Sequence, residues 1–243
     1  MILPFSDARY PVCVTSTVSL PSSHWLFVRE FLRAPWQTGA VAPSSRRLSA
    51  AMVEPIPSAS PARVVELGPG SGAVSGLIER RMAGQGRRLA VEVNPTFAAR
   101  LAHRHPGLEV VQADARHLPA LLASRGFGDV DVVVSSLPWV AFDRAVQAEL
   151  MAAVSSVMSA QGVFVTFGYS LSRWTPPARR FRQLLHSEFD EVVIGRTIRL
   201  NIPPAFVYYA RRPHPVGFGA RPGMARDFLH DPLSKATIGH PSA

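Results

Sequence analysis

This chain of 243 residues holds one cysteine, Cys13, and one lysine, Lys235. A lone cysteine excludes an intramolecular disulfide and fits a reducing compartment, so a cytoplasmic protein is expected. No apolar run reaches the roughly 18 residues of a membrane-spanning helix. The N-terminus lacks a basic segment followed by an apolar run, so no signal peptide is expected. His214, His230 and His240 are too scattered to read as metal ligands, and no metal is expected. No internal repeat is visible. What the chain does have is a 47% hydrophobic composition, enough for the core of one domain with extensions. It also carries a net charge of +9, almost all of it arginine. A basic surface attracts phosphate, on RNA or on anionic lipid headgroups, and charge alone does not choose between them.

The most informative segment is Arg63 to Gly72, R-V-V-E-L-G-P-G-S-G. An apolar strand ends at Glu66 and runs into glycines at alternate positions, Gly68, Gly70 and Gly72. Such glycines permit φ > 0 and let a ligand approach the backbone, and a following helix offers free N–H groups. The spacing differs from the dinucleotide fingerprint G-x-G-x-x-G. Leu89–Val93 is a second strand, with Glu92 near its end. A third, 108–113, is followed by Asp114, and a fourth, Val130–Val134, runs into Ser135-Ser136-Leu137-Pro138-Trp139. Four successive strands thus deliver polar groups at their carboxyl ends, where open α/β sheets bind ligands.

The remaining pattern sets the organisation. A helix is expected from Ser22 to about Ala34, with Trp25, Phe27, Val28, Phe31 and Leu32 apolar and Arg29, Glu30 and Arg33 polar. A second is expected over 46–53, and later ones at about 73–82, 95–105, 118–124, 145–158 and 177–187. A fifth strand falls at 162–168, and two last strands at 191–196 and 204–211. The expected divisions are an N-terminal extension and helical cap over 1–61, a ligand-binding catalytic domain over 62–212, and a disordered tail over 213–243.

Glu66 with its glycine loop, then Glu92, then Asp114, resembles the motif series of class I S-adenosylmethionine-dependent methyltransferases over about three fifths of the chain. That resemblance implies a Rossmann-like α/β fold: a mostly parallel seven-stranded sheet, helices on both faces and an antiparallel hairpin at one edge. It implies S-adenosylmethionine as cofactor. Glu66 and Gly68, Gly70 and Gly72 would hold its methionine part, Glu92 its ribose and Asp114 its adenine amino group. Ala115, Ser135 and Ser45 join this expected cofactor-binding set.

The segment after the fourth strand bears on the acceptor. Enzymes that methylate base amino groups often place Asn or Asp there. This chain keeps the Leu-Pro-aromatic frame but has Ser136, so it resembles ribosomal RNA adenine dimethyltransferases in outline and departs at that residue. A closer resemblance is to bacterial phospholipid N-methyltransferases. It is carried by Phe31–Pro35 with Gly39–Ser45, by Val64–Gly72, by Ser135–Pro138 and by Asn201–Ala205. It implies phosphatidylethanolamine or a related amine-bearing lipid as acceptor. Ser136, Tyr169 and Trp139 are the expected pocket and catalytic residues, Trp139 through its ring face toward the cationic amine. The 22–34 helix reads either as an interfacial helix at the inner face of a membrane or as a cap packed on the sheet. RNA adenine methylation, a small-molecule acceptor and a non-catalytic cofactor-binding module stand as alternatives.

Overall fold

The computed structural model describes residues 44–214. Cys13, the helix expected over 22–34 and the stretch beyond His214 lie outside the described residues. Five parallel strands come first: β1 (Arg63–Leu67), β2 (Arg87–Glu92), β3 (Glu109–Gln112), β4 (Val130–Ser135) and β5 (Met158–Tyr169). β6 (Phe189–Ile194) and β7 (Ala205–Pro213) complete a seven-stranded sheet in the order β3-β2-β1-β4-β5-β7-β6, with β7 antiparallel to both neighbours.

The Val-rich strands alternate between two buried faces, as expected for strands covered by helices on both sides. On one face α1 (Arg46–Val53), α2 (Ser75–Met82) and α3 (Pro95–Arg104) cover the sheet. Leu48, Met52 and Ile78 pack there on Val64, Val132, Val134 and Val165, and Leu101 packs on Ala90. On the other face lie α4 (Leu118–Ala123), α5 (Arg144–Ser155) and α6 (Pro176–Glu188). Their Leu122, Leu150, Met151, Phe181 and Leu185 pack on Val65, Val133, Phe164 and Phe206.

Helix starts follow local chemistry. Ser45 caps α1, Asn94 caps α3 with Pro95 behind it, and Asp143 caps α5. The largest boundary difference from the sequence expectation lies between α5 and β5. The helix expected to reach residue 158 stops at Ser155, because the Val130 N–H bonds the Val157 carbonyl and Met158 pairs with Val130. β5 therefore starts earlier than expected, and its register shifts between Val130 and Val132.

Strand order reverses between β1 and β4. Open α/β sheets bind ligands at the carboxyl ends of the strands beside such a switch point, and the glycine turn leaves β1 there. The same end of the sheet carries the connection after β5 and the link from β6 to β7.

Candidate active site

Glu66 is the most unusual group at this edge. It is 2% exposed, and neither carboxylate oxygen has a hydrogen-bond partner. Burial pushes its pKa up to about 7, against weaker opposing pulls from the Ser75 hydroxyl and Arg88 and with a further push from nearby Glu92. Above it the chain turns through Gly68 at φ +65 and Gly70 at φ +54. A Cβ on Gly68 would sit 2.7 Å from Leu137 Cδ2, so the turn is packed against the segment after β4. A Cβ on Gly70 would meet nothing within 4 Å. Gly68 is needed for packing as well as conformation, whereas Gly70 borders open space. Gly72 packs instead toward α3, where a Cβ would come 2.9 Å from Leu101 Cδ1.

Glu92 is tied to this turn. Its Oε2 accepts the Gly70 N–H at 3.0 Å, and its Oε1 accepts the Asn94 N–H at 2.8 Å. Burial raises its pKa, and these N–H donors oppose the rise. A carboxylate has about four acceptor sites, so both oxygens keep room for hydroxyl donors. Asp114 is more fully engaged. Its Oδ1 accepts the Arg116 N–H at 2.9 Å, and its Oδ2 accepts Nη2 at 2.8 Å and Nε at 3.1 Å of the same arginine. Burial pushes Asp114 upward, but the Arg116 bonds outweigh it and hold the carboxyl below its ordinary value. Arg116 also reaches Glu149 on α5 at 3.3 Å. Ala115, beside Asp114, is buried.

The segment after β4 divides into two environments. Ser136 is half-buried, and its N–H bonds the Leu67 carbonyl at 2.8 Å, which holds this segment against the end of β1. Ser135 is fully buried, and its hydroxyl accepts the Trp139 indole N–H at 2.9 Å. Trp139 corrects the sequence expectation of a ring facing the acceptor. It is 2% exposed and stacked on Phe181 at 5.1 Å, with Phe164 and Phe142 edge-on. Its π faces and its N–H are spent inside the α5/α6 layer, and Gln147 locks its carbonyl at 2.6 Å. The Ser135 side chain likewise serves this anchor. Tyr169 lies on the opposite, α1 side of the sheet, half-buried and edge-on to Phe167 at 5.5 Å. Burial raises its pKa, so its hydroxyl stays protonated at neutral pH.

Ser45 and Asn201, far apart in sequence, meet. The Ser45 N–H donates to Asn201 Oδ1 at 2.9 Å, and Asn201 Nδ2 donates to the Pro203 carbonyl at 2.7 Å. The Ser45 hydroxyl accepts the Leu48 N–H at 3.3 Å. Asn201 is buried, so it clips the start of α1 to the β6–β7 link.

No protein-family model matches the chain. An ornithine lipid N-methyltransferase from Singulisphaera acidiphila is 32% identical over 190 residues, covering 77% of this chain and 95% of that one. This chain belongs to the ornithine lipid N-methyltransferase family. It is an S-adenosylmethionine-dependent methyltransferase of the class I fold. The CurJ carbon methyltransferase has a TM-score of 0.51 at 16% identity, over 66% of this chain and half, 50%, of that chain. Human methyltransferase-like protein 13, solved in complex with S-adenosylhomocysteine, has a TM-score of 0.51 at 18% identity, over 70% and 80% of the two chains. These two likenesses speak for the fold alone.

The sequence pointed to the acids at the strand ends of this methyltransferase, but not to the groups that hold them or the edge together. Arg116 follows Asp114 by two residues in D-A-R, a local signal that was there to read. Asn201 stands in the quoted segment Asn201–Ala205, yet its partner Ser45 is invisible without the fold.

Proposed function

We propose that this methyltransferase adds methyl groups to the amine of a lipid headgroup, an ornithine-bearing lipid first and phosphatidylethanolamine second. One observation carries the reading: the similarity spans 95% of a relative named for ornithine lipid N-methylation. When bound, S-adenosylmethionine supplies an electrophilic methyl on its sulfonium sulfur. The chain's own groups suit it. Glu66 is a buried carboxyl whose oxygens accept no well-formed hydrogen bond, and it would hold the ammonium of a methionine moiety as a charged donor. The open space at Gly70 leaves room at the glycine turn, beside Glu92. Glu92 keeps acceptor sites for ribose hydroxyls, and Asp114 Oδ1 keeps one for an adenine amino group, with Ala115 as apolar lining.

On the acceptor side, Ser136 offers one hydroxyl where a base-amino methyltransferase presents a planar amide. A hydroxyl suits a flexible primary amine better than a flipped adenine. Tyr169, held protonated, acts as a hydrogen-bond partner that orients the amine rather than as a base. The protein's part is then alignment and exclusion of water. Among the described residues no helix is long and apolar enough to cross a membrane.

The test is incubation of purified protein and labelled cofactor with mixed micelles of ornithine lipid, with micelles of phosphatidylethanolamine, and with ribosomal RNA. Label in the ornithine lipid supports the reading, and label in phosphatidylethanolamine alone moves the acceptor within it. Label in RNA alone overturns it.

A further inference from the structure

Four large apolar side chains stand in solvent at the carboxyl edge, on two loops. Leu171 and Trp174, 82% and 68% exposed, follow β5, and Leu200 and Ile202, 65% and 73% exposed, lie in the β6–β7 link. The loops are one surface. The Ser170 N–H bonds the Pro204 carbonyl at 2.8 Å, Tyr169 pairs with Ala205, and Ile198 bridges Ala205. Isolated exposed apolar residues need no explanation, but several on one joined rim do.

The charges on this rim are of one sign. Residues 170–187 and 195–204 contain no Asp or Glu, and Arg173, Arg196 and Arg199 lie between the apolar groups. Elsewhere Arg88, Arg116, Arg125 and Arg212 each pair with a carboxylate. Among the described residues none of the three rim arginines does. Arg173 is held over the rings of Trp174 and Phe206 at 5.5 and 5.2 Å, and its buried Nε has no acceptor, nor has the nearby Ser170 hydroxyl a partner. An unpaired guanidinium beside exposed Leu, Ile and Trp has the chemistry of a membrane-interface contact: apolar groups enter the headgroup layer and arginines meet phosphates.

We propose that the loops 170–174 and 196–203 form a docking rim for an anionic bilayer, seating the mouth of the site on the lipid surface. The inference rests on the lipid reading for its purpose and goes beyond it in naming the surface. Charge decides between the bilayer and the chain's own 22–34 segment as occupant. That segment carries Arg29 and Arg33 against Glu30 alone, so its charge has the same sign as the rim.

The test is flotation of the full chain with vesicles of phosphatidylcholine and phosphatidylglycerol in equal parts, and with phosphatidylcholine alone. Wild type is expected to float with the mixed vesicles and to be released by salt. Arg173→Gln/Arg199→Gln is expected to lower partitioning by roughly thirtyfold, about fivefold for each arginine. Leu171→Ser/Trp174→Ser/Ile202→Ser is expected to abolish flotation with an unchanged thermal midpoint and an unchanged affinity for S-adenosylhomocysteine. Equal flotation of wild type and both variants overturns the proposal. So does a fall in thermal midpoint of the Ser variant without lipid, which would show that the chain itself covers the rim. Flotation needs no acceptor, so lost flotation in the variants alongside unmethylated lipid keeps the rim and rejects the lipid amine.

Discussion

The two halves of the carboxyl edge are built on opposite terms. From β1 to β3 it presents acids, of which Glu66 and Glu92 are buried and Glu66 accepts no well-formed hydrogen bond. From β5 to β7 it presents exposed apolar groups and arginines without acids. Each half carries a cost that a self-contained protein would avoid: a buried carboxyl without a well-formed hydrogen bond in one, solvated hydrocarbon in the other. Such costs mark surfaces shaped for something absent from the chain itself. Between the halves, Ser135 and Trp139 turn inward and form core.

The sharpest way to break this division is at Trp139. Its ring fills the space between Phe164, Phe181 and Phe142, and its N–H bonds the Ser135 hydroxyl. Trp139→Ala is expected to lose about 3–5 kcal/mol in urea unfolding, the cost of a large cavity in a packed layer. Trp139→Phe is expected to lose less and to leave the KM for acceptor unchanged. A raised KM at wild-type stability would return Trp139 to the pocket.

Glu66→Gln tests the buried charge, with opposite signs for stability and binding. The folded pKa, about 7, lies above the ordinary 4.5, so between these values the folded protein holds a proton that the unfolded chain has released. Stability of the free protein therefore falls as pH rises through that window, by about 3 kcal/mol, and levels off above it. Glutamine removes that fall, so the free variant is expected to be the more stable protein at alkaline pH. Under the proposed cofactor site the same change would take away the anionic partner of the cofactor's ammonium, and the Kd for S-adenosylhomocysteine is then expected to rise about ten- to a hundredfold. Thermal melts across pH, with calorimetry, read both. A variant that binds as tightly as wild type would remove Glu66 from the cofactor site.

These two residues also show how far the sequence can be read. Glu66 was legible because its signal is local: an apolar strand, an acid and alternate glycines within ten residues. The succession of strands along the chain followed from the same local punctuation, whereas their arrangement in the sheet was implied only by the family resemblance. Trp139 was not legible, because its burial depends on Phe181, far along the chain on α6. Nor was the start of β5, which depends on pairing with β4 rather than on the helical pattern of 145–158. Asp114 was placed correctly at a strand end, but its bonds to Arg116 depend on side-chain geometry that spacing does not give.

Asn201→Ala tests whether the two halves are held in register. It removes one acceptor and one donor, leaving the Ser45 N–H and the Pro203 carbonyl without their partner. The expected loss is about 2 kcal/mol. Because the clip joins α1 to the β6–β7 link, hydrogen exchange is expected to quicken at both and to stay unchanged at the glycine turn. Uniformly faster exchange would mean that Asn201 supports the whole fold instead of this edge.

Gly70→Ala has the smallest expected effect on stability and sharpens the comparison most. Gly68 and Gly70 share a left-handed backbone, at φ +65 and +54. An alanine in that region costs about 1 kcal/mol at either position. At Gly68 the added methyl also meets Leu137 Cδ2 at 2.7 Å, so packing suffers as well. At Gly70 it meets nothing, and the loss of stability is expected to stop at the backbone contribution. Its methyl would instead enter the open space beside Glu92, whose Oε2 accepts the Gly70 N–H. Gly70→Ala is therefore expected to weaken S-adenosylhomocysteine binding by more than its loss in unfolding free energy, and Gly68→Ala to lose more stability than Gly70→Ala. If Gly70→Ala binds like wild type, the space at Gly70 is only solvent, and the cofactor must lie elsewhere along the edge.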